Sequence, residues 1–127
     1  TANAIGDFDG TGDPFDIFAV TGTVKVKLVA ICTTILAGAS ATLEIGTTGK
    51  TAGLIALSTA TDIDANEIWH DATPDSPLEL SSVVTENILA NSLNIIGNVK
   101  TANITSGVIK FICLWKPISK DGDVVAA

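Results

Sequence analysis

Side chains alternate in character over residues 20–32, VTGTVKVKLVAIC, and a β-strand turns that spacing into one apolar face. The face carries Val24, Val26, Leu28, Ala30 and Cys32. Beyond Lys27 the opposite face also becomes apolar, with Val29 and Ile31. Because strands covered on both sides are apolar on both faces, we expect this strand to run from a half-exposed edge into a covered interior.

A second strand is predicted over residues 107–117, which read GVIKFICLWKP. One face carries Ile109, Phe111, Cys113 and Trp115, and the other carries Val108, Lys110, Ile112, Leu114 and Lys116. Both faces are mostly apolar, which is typical of a strand with a layer on each side. We therefore expect these two strands to lie at the centre of the core.

Shorter apolar segments indicate further strands. Residues 41–45 and 54–57 flank GTTGKTAG, which predicts a hairpin, and residues 78–80, 88–90 and 93–96 predict three more short strands. Only residues 64–70 and 82–91 have room for a helical turn or two. β-Branched residues are abundant, so we predict an all-β, single-domain β-sandwich of seven or eight strands, with a jelly roll as the preferred version.

The two ends differ in composition from the middle of the chain. Residues 1–16 carry four aspartates and three glycines, and residues 120–127 run from polar to small side chains. We predict an extended N-terminal arm over residues 1–16, the sandwich domain over 17–119 and a C-terminal tail over 120–127. A partner is expected to order both ends.

Charge narrows the range of partners. Seven lysines and fourteen acidic residues give a net charge of −7, whereas nucleic-acid binding needs clustered cations, so nucleic acid and anionic membrane surfaces are disfavoured. The uncharged run over residues 28–43 is shorter than the roughly 20 apolar residues of a transmembrane helix. Residues 1–9 lack the basic start and apolar core of a secretory signal.

With 46% hydrophobic and 17% charged residues, apolar surface should remain for a homo-oligomer, which we predict to be a trimer.

One loop resembles the start of a calcium-binding loop. Residues 7–12, DFDGTG, match the opening of an EF-hand loop, in which spaced oxygens converge on the ion. The twelfth position is Phe18 instead of a bidentate glutamate, so we predict an acidic turn and no metal site.

A second acidic cluster surrounds the single histidine of the chain. It comprises Asp62, Asp64, Glu67, His70, Asp71 and Asp75. A metal or acid–base site needs groups that converge from separate elements, whereas these come from one segment rich in turn formers. We predict a solvated loop anchored by Ile68 and Trp69. No nucleophile elbow, phosphate loop or dinucleotide fingerprint occurs, so we predict no catalytic residue and no cofactor.

Cys32 and Cys113 lie inside apolar runs and lack the close spacing of a zinc or redox site. Two buried free thiols are the favoured interpretation. A disulfide between neighbouring strands is the alternative.

Several segments resemble small proteins of tailed bacteriophages that are encoded among virion structural genes. The resemblance covers residues 22–119, and its distinctive pieces are ATLEIGT, TATDIDANEIWHDATPD and the closing strand that ends in LWKP. None of these pieces is a catalytic motif. The resemblance therefore concerns the place of the protein in a particle more than any chemistry.

The resemblance implies a virion component, made in the host bacterial cytoplasm, and within that class we favour a capsid decoration, or cement, protein. Such a protein lies on the outer surface of the shell and contacts the major capsid protein. The contact residues that we predict are Phe8, Phe15 and Phe18, because large apolar side chains suit a partner's groove; the alternative is that Phe15 and Phe18 begin the domain core. The rival functions are a tail or head-tail connector component and a carbohydrate-binding adhesin that would use Trp69.

Overall fold

The structure is a computed structural model that describes Phe8 and residues 13–127. Its eight strands are β1 (Asp13–Thr21), β2 (Val24–Ala37), β3 (Thr42–Thr47), β4 (Lys50–Thr59), β5 (Glu86–Leu89), β6 (Ile95–Lys100), β7 (Ser106–Pro117) and β8 (Asp123–Ala126). Two short 3₁₀ helices lie at Ala60–Asp62 and Ser81–Val83. The prediction of an all-β, single-domain fold is confirmed.

The strands form two antiparallel sheets. One sheet has five strands in the order β4-β3-β6-β1-β8, and the other has three in the order β5-β2-β7. The predicted jelly-roll connectivity stays a prediction.

The core lies between the two sheets. The face of β2 that the sequence marks as apolar is buried, with exposures from 0% at Val24 to 5% at Leu28. Ile45 of β3 and Ile95 of β6 are both fully buried in the five-stranded sheet. Burying these side chains from both sheets removes apolar surface from water, at about 25 cal/mol per Å², and holds the sheets together.

A turn divides the strand that was predicted over residues 20–32. β1 ends at Thr21 in the five-stranded sheet, and β2 begins at Val24 in the other sheet. Gly22 between them has a φ of 66°, a conformation that glycine adopts without steric cost. Val20 of β1 and Val24 of β2 are both buried, so the inward-facing positions of the predicted strand belong to two different sheets.

The predicted hairpin is present, but its loop is shorter than expected. Thr47 pairs with Lys50, so Thr48 and Gly49 alone form the turn, and Gly49 has a φ of 89°. Residues 46–47 and 50–53 belong to the strands. Predicted strands over 88–90 and 93–96 correspond to β5 and β6, whereas residues 78–80 form no strand.

The structure places both ends of the domain differently from the sequence prediction. β1 begins at Asp13, inside the predicted arm, because backbone pairing with β6 extends from Asp13. At the other end, β8 forms inside the predicted tail, where it pairs with β1 and buries Val124. The rest of the predicted arm, apart from Phe8, lies outside the described residues.

β7 differs from its predicted central position. It pairs with β2 and, within the described part of the chain, with no strand on its other side. The central strand of this sheet is β2. It pairs with β7 on one side, and on its other side it bonds to β5 and to the segment 66–69.

Candidate interaction surface

The outer face of the three-stranded sheet is the candidate site, and its composition follows from strand register. The inner face of β2 points into the core, so its other side chains point outwards. Register pairs Lys25 with Lys116 and Ile31 with Lys110, which brings the outer side chains of β2 and β7 together. We call this surface the lysine face. It comprises Lys25, Lys27, Val29, Ile31, Glu86, Ile88, Lys110, Ile112, Leu114 and Lys116.

Charge on the lysine face is opposite to that of the chain as a whole. Among residues 14–127, whose side chains the structure describes, it holds four of the seven lysines and one of the eleven acidic residues, so three lysines and ten acidic residues lie elsewhere. Glu86 lies 3.1 Å from the Lys25 ammonium, and both side chains are about half exposed. Such a pair contributes little to stability. Four lysines and a single glutamate give the face a local positive charge on an acidic protein.

Apolar side chains lie among these lysines. Ile88 is 66% exposed and Leu114 is 56% exposed, while Ile112 is half-buried. Lys27 donates from its ammonium to the Ser81 hydroxyl, which directs its aliphatic stem along the surface. Apolar and basic side chains are interspersed, because Lys25 and Lys27 of the central strand β2 lie between Ile88 of β5 and Leu114 of β7. Exposed apolar side chains among polar ones are typical of a surface that meets a partner.

A shallow groove opens between the sheets at one end of the sandwich. It measures about 440 Å³, and its lining includes Phe15, Leu36, Val99, Ile104 and Phe111. All the side chains that line it are apolar or hydroxyl-bearing, with no ionisable group. The lining of the groove therefore provides apolar contact area and no side chain that could donate or accept a proton at neutral pH.

The three phenylalanines predicted as contacts pack against the core of this chain. Phe8, Phe15 and Phe18 are all partly buried against it. The backbone N–H of Phe8 donates to Asn103 Oδ1 at 2.7 Å, and Phe15 lies directly over Gly97. This packing agrees with the alternative in which Phe15 and Phe18 begin the core. Their role in binding a capsid stays a prediction.

The predicted acidic cluster around His70 does not converge. His70 lies 3.6 Å from Asp71 and, through its other ring nitrogen, 3.6 Å from Glu79. Within residues 13–127, no group of three or more histidine, cysteine or acidic side chains is placed to hold a metal ion. Asp62, Asp64 and Asp75 point into solvent. Apart from Phe8, the predicted EF-hand-like turn at residues 7–12 lies outside the described residues.

Two apolar residues fix this acidic loop to the sandwich. Trp69 is 1% exposed, and its backbone N–H donates to the carbonyl of Ala30 at 2.9 Å. Ile68 forms a bridge with Ile31 on β2. Because its indole lies inside the core, Trp69 cannot supply the sugar-stacking contact that the adhesin alternative gave to it.

Both cysteines are free thiols. Cys32 is fully buried, and Cys113 on β7 is half-buried opposite Leu28, four positions along β2 from Cys32. Burial raises the pKa of both thiols. A raised pKa lowers the thiolate fraction, and therefore the reactivity, at neutral pH.

Sequence reasoning placed the lysines of β2 on one face but missed the lysine face as a unit. Recognising it requires knowledge that β2 and β7 are neighbours. The signal in the sequence is the even spacing of the lysines. Lys25 and Lys27 are two residues apart, and Lys110 and Lys116 are six apart, so each pair lies on one face of its strand.

Comparisons of this chain with protein-family models, with curated proteins and with solved structures find no match. Among the described residues, no helix is long and apolar enough to cross a membrane.

Proposed function

We propose that this chain acts by binding and assembly, without catalysis, as a capsid decoration protein on the outer surface of a tailed-bacteriophage shell. The observation that carries the proposal is the lysine face, where exposed Ile88 and Leu114 lie among four lysines of an acidic protein. The resemblance of residues 22–119 to phage virion proteins supports the choice of a capsid as the partner.

Charge complementarity defines the partner surface that would fit. A partner surface that interleaves apolar side chains with carboxylates would bury Ile88 and Leu114 while it neutralises the lysines that lie between them. The acidic residues elsewhere on the described part of the chain would repel such a surface from the other sides of the molecule. The same charge distribution therefore favours one orientation on the shell.

The proposed mechanism is thermodynamic linkage. A protein that binds the assembled shell and not its separated subunits stabilises the shell by the binding free energy at each occupied site. This mechanism requires no chemical step. It requires a rigid body with a fixed contact surface, and a two-sheet sandwich with its core between the sheets meets that requirement.

Binding to undecorated, expanded shells of the phage that encodes this chain tests the proposal. We expect saturable occupancy, weaker binding as salt is raised, and shells that resist heat better when decorated. Lys116→Glu should weaken binding about fivefold to tenfold, which corresponds to about 1 to 1.4 kcal/mol.

Lys120→Glu is the matched control, because Lys120 is also exposed but lies outside the lysine face. Both variants change the net charge by the same amount. Circular dichroism should show both folded. Equal weakening by the two variants would reject the lysine face as the contact, and failure of the unaltered protein to bind shells would reject the decoration function.

A further inference from the structure

Hydrogen bonds on β2 determine which backbone groups of β7 face away from the sheet. The Ala30 carbonyl accepts from Trp69, and the Cys32 N–H donates to Glu67, both on the side of β2 opposite to β7. In an antiparallel strand the direction of these groups alternates from residue to residue. Even-numbered residues of this part of β2 therefore point away from β7, and odd-numbered residues, such as Val29 and Ile31, bond to it.

The same alternation passes to β7 through its register. Val29 pairs with Ile112 and Ile31 pairs with Lys110, so even-numbered residues of β7 bond to β2. The N–H and C=O groups of the odd-numbered residues then point outwards along the edge. These residues are Ile109, Phe111, Cys113 and Trp115. Within the described part of the chain, no strand pairs with them.

The composition of β7 does not match an exposed edge. Edge strands in natural proteins are usually short or interrupted, yet β7 is twelve residues long and apolar at every position from 108 to 115 except Lys110. None of its residues is buried, and Trp115 is 37% exposed. A strand with the pattern of a central strand at an open edge indicates that another strand completes the sheet.

We propose that the missing neighbour is β7 of a second copy of this chain, paired antiparallel about a twofold axis through Ile112. Ile109 then faces Trp115 of the second copy, and Phe111 faces its Cys113. These pairs supply about eight backbone hydrogen bonds, two for each of the four odd-numbered positions. The two three-stranded sheets become one sheet of six strands, and the two lysine faces become continuous.

Charge disfavours one of the two neighbouring registers, in which the axis passes through Cys113 or through Phe111. A twofold axis through Cys113 would place Lys110 directly opposite Lys116 of the second copy, and like charges in that position are destabilising. With the axis through Ile112, Lys110 faces Leu114 and Lys116 faces Val108. The whole of residues 107–117 then pairs with its own copy.

This proposal does not depend on the decoration function, since it concerns the isolated protein. A twofold contact produces dimers, whereas the sequence predicts a trimer. Size-exclusion chromatography with light scattering should give twice the chain mass of 13.0 kDa, with dissociation on dilution. A monomer or a trimer over the concentration series would overturn the proposal.

Proline substitution tests whether the edge of β7 makes the contact. Cys113→Pro removes an outward N–H and leaves the bonds to β2 intact, so we expect the dimer to dissociate at least tenfold more readily. Ile88→Pro is the control, because it removes an outward N–H from β5, the other edge of the same sheet. The control should remain dimeric. A Cys113→Pro protein that is folded and fully dimeric would contradict the assignment.

Cross-linking tests the register even if a proline variant fails to fold. In a Cys113→Ser background, Ile112→Cys should form a covalent dimer on mild oxidation, because paired Cα atoms on the axis lie about 4.5 Å apart, within disulfide range. Lys110→Cys in the same background should not, because its copy lies about four residues, or 13 Å, along the strand. Cross-linking of the unaltered protein through Cys113, or of Lys110→Cys, would overturn the register.

Discussion

The indole Nε1 of Trp69 donates a hydrogen bond of 2.8 Å to the hydroxyl of Ser58 inside the core. Ser58 belongs to β4, and the ring of Trp69 also meets Phe111 of β7 edge to face, with centroids 6.5 Å apart. One side chain from a loop thus links the two sheets. Trp69 belongs to the loop that carries most of the acidic cluster, and its contacts hold that loop against the sandwich.

Ser58→Ala should lower the free energy of unfolding by about 1–3 kcal/mol, because it leaves the buried indole N–H without its acceptor. Ser82→Ala, at an exposed position, is the control and should change stability by less than about 0.5 kcal/mol. Urea unfolding followed by tryptophan fluorescence measures both. Equal stability of the two variants would mean that the indole finds another partner.

Acid stability should depend on Glu44 of β3, which is buried. Burial acts to raise the pKa of this carboxyl, but hydrogen bonds from Lys100, at 2.7 Å, and from Thr51 outweigh it, so the pKa lies below its ordinary value. A lowered pKa in the folded state stabilises the protein above the unfolded-state pKa. That stabilisation is lost as pH falls through the lower, folded-state value.

Glu44→Gln should therefore cost about 1–3 kcal/mol at neutral pH, and the difference from the unaltered protein should shrink as pH falls below the ordinary glutamate pKa. Thermal unfolding across a pH series measures this. A difference that stays constant with pH would show that Glu44 acts through packing alone.

Gly97 of β6 leaves the space that Phe15 of β1 occupies. A methyl group at residue 97 would lie 2.4 Å from the tip of the phenyl ring, well inside contact distance. Gly97→Ala should cost about 1–3 kcal/mol, as other overpacked cores do. In a double-mutant cycle, Phe15→Leu should recover part of that cost, because the shorter side chain vacates the space. Strictly additive effects would contradict this packing.

Thiol labelling should distinguish the two cysteines. With its pKa raised by burial and its side chain half-buried, Cys113 should react slowly at neutral pH, and fully buried Cys32 should react only on unfolding. Cys113→Ser should therefore abolish labelling of the folded protein. Because both thiols are free, a reducing agent should leave the melting temperature unchanged. A lowered melting temperature would revive the disulfide alternative.

The faces of β2 and β7 were predictable from sequence because alternation is a local property. Val24 and Leu28 are buried as expected. The edge position of β7 was not predictable, because it depends on which strands pair across long stretches of sequence. The same holds for the other side of β2, where residues 66–69 bond to the strand in place of a full strand.

The domain ends were misjudged for a different reason. Composition made residues 13–16 resemble an arm, although Pro14 and Asp16 are exposed on either side of half-buried Phe15, which is the alternation of a strand. β8 has only four residues, and its membership of the sheet depends on Val124 packing beside Val20 of β1. Local propensity over so short a segment gives little signal.

The proposed function places this chain on a tailed-phage virion, and a cryomicroscopy map of that virion is its most direct test. The account predicts ordered density for the sandwich on the outer surface of the shell, with Leu114 and the lysine face turned towards an acidic patch of the capsid protein. Density confined to the tail or to the head-tail connector would contradict it.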